Sequence, residues 1–145
     1  MKLYILNGPN LNMLGIREPE IYGGETYSTL VEMLKAHCDK LGIELTVYQS
    51  NHEGCLVDKI HEAYFEKADG IVINPAAYTH TSVALLDAVK ATKLPTVEVH
   101  ISDVSAREDF RQISYIGKAC VKTIKGHGLM GYIEAIDYLH EVLSK

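Results

Sequence analysis

The chain has 145 residues, enough for one domain with its own core, and we expect a single domain over residues 1–145. A hydrophobic content of 47% with 23% charged residues excludes a disordered chain, and no apolar run approaches the roughly 20 residues that span a bilayer. The net charge of −5 disfavours nucleic acid as a partner. Because the first residues read as a strand and not as a secretory leader, we expect a cytoplasmic protein.

Short apolar runs rich in β-branched residues alternate with amphipathic stretches along the chain. The predicted strands are Lys2–Leu6, Glu44–Gln49, Gly70–Ile73, Thr96–His100 and Ala119–Lys125. The predicted helices are Tyr27–Leu41, Leu56–Phe65, Ser82–Ala91 and Leu129–Leu143. The alternation predicts right-handed βαβ units. Five strands in this length favour a flavodoxin-like α/β three-layer sandwich, with a parallel sheet in the order 2-1-3-4-5.

The first predicted helix carries signals at both ends. Thr26 can cap its start, and Gly42 can end it. Its apolar stripe consists of Leu30, Val31, Leu34, Cys38 and Leu41. Farther along the chain, the sequence from Ser105 to Glu108 has the pattern of a capping box and predicts a short helical turn.

Polar clusters follow three of the predicted strands. Asn7-Gly-Pro-Asn10 follows the first strand, the sequence from Asn74 to Ser82 follows the third, and His100 to Ser102 ends the fourth. In a doubly wound sheet, ligands bind outside the carboxyl ends of the strands, where the strand order reverses. The first and third strands flank that point. The sequence therefore predicts a binding site at this edge of the sheet.

The loop after the first strand is longer than a simple connection, because strand-to-helix loops usually take about 2–6 residues. It carries Arg17 and Tyr22. Arg17, Arg107 and Arg111 are the only arginines in the chain. The guanidinium fork suits carboxylates, although each arginine could also be a simple surface residue. A long loop with these side chains is typical of a lid or a binding loop.

Tyr22 is a candidate base. A phenol titrates near pH 10, so its pKa must fall by roughly 2–3 units for it to act near neutrality. One arginine about 4 Å away contributes on the order of 4 kcal/mol at an effective dielectric near 20, which is barely enough. Tyr22 is therefore either a base assisted by Arg17 or a residue that packs the loop shut.

Glu98 and His100 are two residues apart on a predicted strand, so their side chains point to the same face. A buried carboxylate needs a partner, because leaving it unpaired is costly. A carboxylate bonded to one ring nitrogen fixes the tautomer of a histidine and leaves the other nitrogen for proton transfer. The alternative is a purely structural contact between the two residues.

His80 stands just before the third predicted helix, beside Thr81 and Ser82. Free backbone N–H groups at a helix start favour an anionic ligand. The sequence gives no reason to expect a metal, because His80, His100 and His127 lack short ligand spacing and acidic co-ligands.

Two further patterns, the three cysteines and a glycine-rich run, do not indicate a functional site. Cys38, Cys55 and Cys120 are far apart, which disfavours disulfides and thiolate metal sites. The run Gly126-x-Gly-x-x-Gly131 matches a dinucleotide fingerprint by letter, but it follows the last strand and no acidic residue can follow about 20 positions on. Close packing at the start of the last helix explains these glycines better.

Taken together, these residues resemble the type II 3-dehydroquinate dehydratases. The match runs nearly end to end and in the right order. The matching motifs are Asn7-Gly-Pro-Asn-Leu11, Leu14-Gly-x-Arg17-Glu-Pro, Tyr22-Gly-Gly24, Asn74-Pro-Ala-Ala-Tyr-Thr-His-Thr-Ser82, Glu98-Val-His-Ile-Ser102, Arg107-Glu-x-Phe-Arg111 and the final Gly-x-Gly-x-x-Gly-Tyr132.

The resemblance implies a single catalytic domain, a lyase that eliminates water from 3-dehydroquinate in the anti sense and forms 3-dehydroshikimate through an enolate, without a cofactor. The family acts in the shikimate pathway of aromatic amino-acid biosynthesis, although quinate breakdown is an alternative role. By resemblance, Tyr22 would remove the proton beside the ketone, with its pKa lowered by Arg17. Asn10 would hold a water against the enolate. His100, oriented by Glu98, would protonate the departing hydroxyl.

The resemblance also implies how the substrate is bound. Its carboxylate would lie on the backbone N–H groups and hydroxyl of Ile101 and Ser102. The residues expected to bind ring hydroxyls are Asn74, His80 and Arg111. Asp87 would reach in from a neighbouring subunit, since the family forms homododecamers built as tetramers of trimers.

Two other functions fit the same fold. A receiver-like signalling module needs clustered acids after the first strand to hold Mg²⁺, but this chain has Asn7, Gly8 and Asn10 there. A flavin carrier needs a Ser- and Thr-rich phosphate loop at that point, and Pro9 between two asparagines does not provide one.

Overall fold

The computed structural model describes residues 1–16, 25–103 and 108–145. Its strands are β1 (Lys2–Asn7), β2 (Glu44–Gln49), β3 (Gly70–Asn74), β4 (Thr96–His100) and β5 (Lys122–Lys125). Its α-helices are α1 (Tyr27–Leu41), α2 (Glu53–Phe65), α3 (Val83–Thr92) and α4 (Met130–Leu143). Short 3₁₀ turns lie at Leu11–Met13, Ala76–His80, Asp109–Arg111 and Ile116–Lys118.

The five strands form one parallel sheet in the order β2-β1-β3-β4-β5, which confirms the predicted architecture. The last residues of the two central strands are neighbours, because Asn7 pairs with Asn74. On the other side of β3, Ile73 pairs with Glu98. This register brings the polar ends of β1, β3 and β4 to one edge of the sheet.

Helices cover both faces of the sheet, as alternating strands and helices require. One face packs on α1 and α4, and its core includes Leu34, Tyr132 and Val99. The other face packs on α2 and α3, and its core includes Ile60 and Ile73. Side chains alternate between these faces along each strand, so the position of a residue decides which helices it meets.

The predicted ends of α1 are confirmed. The Thr26 hydroxyl accepts a hydrogen bond from the Thr29 N–H at 3.2 Å, and Gly42 ends the helix with φ at 69°. Leu30, Leu34 and Cys38 of its apolar stripe are buried, whereas Val31 and Leu41 are half-buried. The capping box predicted at 105–108 lies partly outside the described residues.

Several predicted boundaries need correction. β5 begins at Lys122 and not at Ala119, because Ala119 and Cys120 donate to Ile116 and Gly117 in a tight turn. α2 begins at Glu53 and not at Leu56, since its first turn is polar and carries no apolar signal. α3 begins at Val83, because Ser82 caps the helix and does not belong to it. β1 and β3 each extend one residue farther, to Asn7 and Asn74.

Close packing was predicted for the run Gly126-x-Gly-x-x-Gly131, and it is found at Gly131. A Cβ atom on Gly131 would lie 3.4 Å from both Ile124 and Val99, which belong to the two strands beneath it. At Gly128 a Cβ atom would meet no heavy atom within 4 Å, and positive φ angles of 81° at Gly126 and 61° at Gly128 show that the turn favours glycine there. Among the described residues, no helix is long and apolar enough to cross a membrane.

Candidate active site

The centre of the candidate site is a buried pair at the end of β4. Glu98 is 1% exposed and His100 is 4% exposed. Nε2 of His100 donates to Oε2 of Glu98 at 2.5 Å, as the two-residue spacing predicts. Because Nε2 faces the carboxylate, Nδ1 is the ring nitrogen left to exchange a proton, and no described residue bonds to it.

The Glu98 carboxylate collects hydroxyl donors from three other elements. Thr79 and Ser114 both approach Oε2 at 2.7 Å, and Thr123 donates to Oε1 at 3.1 Å. Burial alone would raise the pKa of Glu98, but the hydrogen bond and charge of His100 and the bonds from Thr79 and Ser114 outweigh it and lower that pKa to about 2. Glu98 is therefore a fixed negative charge at neutral pH.

This pair faces a small polar cavity of about 50 Å³. That volume is of the size of one or two water molecules. Around the cavity, Arg111 and Lys125 supply positive charge, and His80 adds an imidazole ring. The complete lining consists of Thr79, His80, Glu98, His100, Arg111, Gln112, Ile113, Ser114, Thr123 and Lys125. A cavity of this size, with a buried carboxylate and cationic side chains around it, suits a water molecule or a single hydroxyl group of a larger ligand.

Two of the predicted substrate-binding residues line this cavity. The ring of His80 is held by a 2.8 Å contact between Nδ1 and the carbonyl of Ile113. Arg111 lies in the Asp109–Arg111 turn, pairs with Glu108 and places its guanidinium 4.9 Å from the centre of the Phe110 ring. The structure therefore brings together His80, Arg111 and the Glu98–His100 pair, although they come from distant parts of the sequence.

Asn74 is not among the residues that line this cavity. Its Oδ1 accepts from the Ala76 N–H at 3.1 Å, and its Nδ2 donates to the Tyr132 hydroxyl at 2.9 Å. That hydroxyl donates in turn to Oδ1 of Asn7 at 2.7 Å. Tyr132 is fully buried, and burial raises its pKa, so its hydroxyl remains protonated. One N–H of the Asn74 amide is left over from these contacts.

Asn10 is exposed after β1 and adopts the left-handed conformation, with φ at 70°. Its backbone N–H donates to Oδ1 of Asn51 at 3.0 Å. The carbonyls of His100 and Ile101 accept from the N–H groups of Gly126 and Gly128, which holds the turn after β4 in place.

The remaining predicted residues lie elsewhere. Ile101 is buried and Ser102 is half-buried, directly beyond β4. Asp87 lies on the exposed side of α3. The predicted base Tyr22 and its partner Arg17 lie outside the described residues, as does Arg107.

The model of the family "Dehydroquinase class II" matches residues 1–140 of this sequence. The chain belongs to this family. The 3-dehydroquinate dehydratase of Caldicellulosiruptor bescii is 52% identical over 143 residues, which cover 99% of each chain. That of Corynebacterium glutamicum is 56% identical over 138 residues, 95% of this chain and 94% of the relative.

A solved structure agrees. The crystal structure of the type II dehydroquinase from Butyrivibrio crossotus is 55% identical and has a TM-score of 0.95, over 96% of this chain and 97% of the other. Membership of the dehydroquinase class II family rules out the receiver-like and flavin-carrier interpretations of the same fold.

Six residues that line the cavity were not predicted as functional positions: Thr79, Gln112, Ile113, Ser114, Thr123 and Lys125. Thr123 and Lys125 could have been found, because their spacing on β5 repeats that of Glu98 and His100 on β4, and the two pairs are in register. Ser114 comes from a surface segment without periodicity, and nothing in the sequence singles it out.

Groups of three or more His, Cys, Asp or Glu side chains that could hold a metal are absent from the described part of the chain. All three cysteines are free thiols. Burial raises the pKa of Cys38 to about 11 and that of Cys120 to about 12, so both are unreactive at neutral pH.

Proposed function

We propose that this chain eliminates water from 3-dehydroquinate to give 3-dehydroshikimate, in the anti sense and through an enolate intermediate. The observation that carries the proposal is the buried Glu98–His100 pair, which faces a small polar cavity with cationic groups on its rim. The substrate is an anion with ring hydroxyls, and its leaving group becomes one water molecule. The cavity has the volume and the polarity for that product.

His100 is the proposed general acid. Glu98 accepts from Nε2, and since its pKa is lowered to about 2, it stays ionised throughout the reaction. Because Nε2 is bonded to this carboxylate, Nδ1 is the nitrogen that is proposed to give its proton to the departing hydroxyl. General acid catalysis of this kind contributes typically about 10²–10⁴-fold.

Tyr22 is the proposed base, and Arg17 is the group that lowers its pKa. The support for these roles is the spacing of the two residues in a long loop after β1 and the match of that loop to the family. Asn10, which is exposed after β1, is proposed to hold a water molecule against the enolate oxygen.

Substrate binding is assigned to groups around the same edge. We expect His80 and Arg111, which lie around the cavity, to meet ring hydroxyls, together with the N–H of Asn74 that its contacts with described residues leave over. The backbone of Ile101 and the hydroxyl of Ser102 are proposed to bind the substrate carboxylate just beyond His100.

Asp87 is proposed to complete the site of a neighbouring subunit in a homododecamer built as a tetramer of trimers. Its position on the exposed side of α3 supports this role, because the side chain is open to a second copy of the chain. Light scattering of the purified protein tests the proposal, and a monomer would leave Asp87 without a function.

Free thiols on all three cysteines fit a cytoplasmic, reducing location.

The direct test of the reaction is the rise in near-ultraviolet absorbance when the conjugated product forms from 3-dehydroquinate. We expect turnover without added cofactor, and its loss in Tyr22→Phe. Tyr64→Phe is a matched control, because Tyr64 is exposed on α2 and packs only against Phe65 among ring contacts. A well-folded protein that forms no product would refute the proposal. Trapping of the substrate on a lysine by borohydride would refute the enolate mechanism.

A further inference from the structure

The segment 113–117, defined by Ile113, Ser114, Tyr115, Ile116 and Gly117, contacts both His80 and Glu98 of the candidate site. It is anchored twice. The side chain of Ile116 is fully buried in the core beneath α3, and the Tyr115 N–H donates to the Thr79 carbonyl at 2.8 Å. A surface segment held in this way has a defined position relative to the end of β3.

From that position the segment reaches three site residues. The carbonyl of Ile113 contacts Nδ1 of His80 at 2.8 Å, which orients the ring toward the cavity. The hydroxyl of Ser114 lies 2.7 Å from Oε2 of Glu98 and 2.5 Å from the hydroxyl of Thr79. The N–H of Gly117 donates to the Ser114 oxygen at 3.2 Å, so the one hydroxyl hydrogen of Ser114 is free to point at the carboxylate or at Thr79.

Gly117 lies directly against the carboxylate. A Cβ atom on this residue would lie 2.6 Å from Oε1 of Glu98 and 3.1 Å from the Ser114 oxygen. A real Cβ atom essentially never lies as close as 2.6 Å to another heavy atom, so a side chain here must displace either the carboxylate or the segment. The fully buried carboxylate has little room to move, because four donors already hold it.

We propose that Gly117 and Ser114 are positioning residues for the general acid, which they orient through the carboxylate of Glu98. This inference deepens the proposed function and rests on it for the role of His100. Gly117 allows the segment to close on Glu98, and Ser114 supplies a donor that fixes Oε2. The carboxylate then sets the direction of the imidazole N–H, and with it the position of Nδ1.

The test compares Gly117→Ala with Gly54→Ala. Gly54 is a good control, because it lies on α2 and a Cβ atom there meets no heavy atom within 4 Å. Two quantities are measured: the steady-state constants with 3-dehydroquinate, and the NMR signal of the His100 imidazole N–H that is bonded to Glu98. We expect Gly117→Ala to lower kcat by about 10- to 100-fold with little change in KM, and to shift or remove the imidazole signal. Gly54→Ala should change neither.

Equal kcat and equal imidazole signals in the two variants would overturn the proposal. If Gly117→Ala does not fold, Ser114→Ala decides the question, since it removes one donor without adding an atom. Loss of kcat and a shifted signal in that variant support the proposal, and wild-type values contradict it. If the wild-type protein forms no product but Gly117→Ala still shifts the signal, the proposed reaction is wrong and the positioning role stands.

Discussion

Two buried polar networks lie at the same edge of the sheet, on opposite faces. On the face covered by α2 and α3, Glu98 and His100 form a charged network with hydroxyl donors. On the face covered by α1 and α4, the hydroxyl of Tyr132 joins Asn7 and Asn74 in a neutral network. The charged network contains a group that can exchange a proton, whereas the neutral one contains only amides and a phenol whose pKa burial raises.

This difference gives the two networks different roles: the charged one holds the proposed acid, and the neutral one holds the ends of two strands in place. A buried charge is costly unless it is fully paired, so the charged network must bring donors from four elements to one carboxylate. The neutral network joins Asn7, Tyr132 and Asn74 through two side-chain bonds and so ties the ends of β1 and β3 to the start of α4. We therefore expect substitutions in the first network to lower kcat, and substitutions in the second to affect stability and KM.

The largest effect is expected from His100→Gln, which removes the proton donor. Turnover of 3-dehydroquinate should fall by about 10²–10⁴-fold, the usual contribution of general acid catalysis. His61→Gln is the matched control, because His61 is exposed on α2. Steady-state assays measure both variants, and similar kcat values in the two would remove His100 from the acid role.

Thr79→Val is expected to have the next largest effect, since it keeps the shape of a buried side chain and removes a donor to Glu98. Leaving a buried carboxylate short of a donor costs about 1–3 kcal/mol of unfolding free energy, and kcat should fall about tenfold. Thr79→Ser retains the hydroxyl and should keep both properties near wild type. Denaturant unfolding and steady-state assays test both expectations. Equal losses of stability and of kcat in Thr79→Val and Thr79→Ser would mean that packing, and not the hydroxyl, is what matters at this position.

Tyr132→Phe should sharpen the contrast between the networks. It leaves Oδ1 of Asn7 and Nδ2 of Asn74 without this partner, so the unfolding free energy should drop by about 1–3 kcal/mol. KM should rise about fivefold through a looser Asn74, while kcat stays close to wild type. Tyr138→Phe on the same helix is the control. A large loss of kcat in Tyr132→Phe would show that the neutral network also takes part in the chemical step.

The smallest effect concerns acid stability. The folded protein lowers the pKa of Glu98 from an ordinary value of 4.5 to about 2, so the ionised carboxylate stabilises the fold above pH 4.5. That contribution should be lost as the pH falls from about 4.5 to about 2. Urea unfolding at pH 5 and pH 3 measures it, with Glu98→Gln as the reference. The wild type should lose more free energy than Glu98→Gln, and an equal loss would contradict the assignment.

Local patterns in the sequence were enough to predict the sheet order and the Glu98–His100 contact. The alternation of strands and helices predicts the sheet, and a spacing of two residues on one strand predicts that Glu98 and His100 meet on the same face. The partners Thr123 and Lys125 depend on the register between β4 and β5, which is a property of the paired strands. Tyr132 meets Asn7 across 125 residues of sequence, so only the folded chain reveals that bond.

The segment 113–117 is a second region whose contacts could not be predicted from the sequence. No hydrophobic or charge pattern in the sequence singles out Gly117. Its importance is visible only in the structure, where a Cβ atom on this residue would collide with the Glu98 carboxylate. The start of β5 was placed too early for a similar reason. In the stretch 119–121, the first two residues bond back to the turn at Ile116–Lys118. Val121 is the first residue whose N–H bonds to the neighbouring strand, at the Thr96 carbonyl.

The central claim is that separate groups remove the proton and release the hydroxyl, with an enolate between the two steps. The most direct measurement follows deuterium uptake from heavy water into 3-dehydroquinate, beside the ketone, by mass spectrometry with His100→Gln and with Tyr22→Phe. We predict that His100→Gln incorporates deuterium while forming almost no product, and that Tyr22→Phe does neither. Exchange that continues in Tyr22→Phe, or disappears together with product in His100→Gln, would contradict the account.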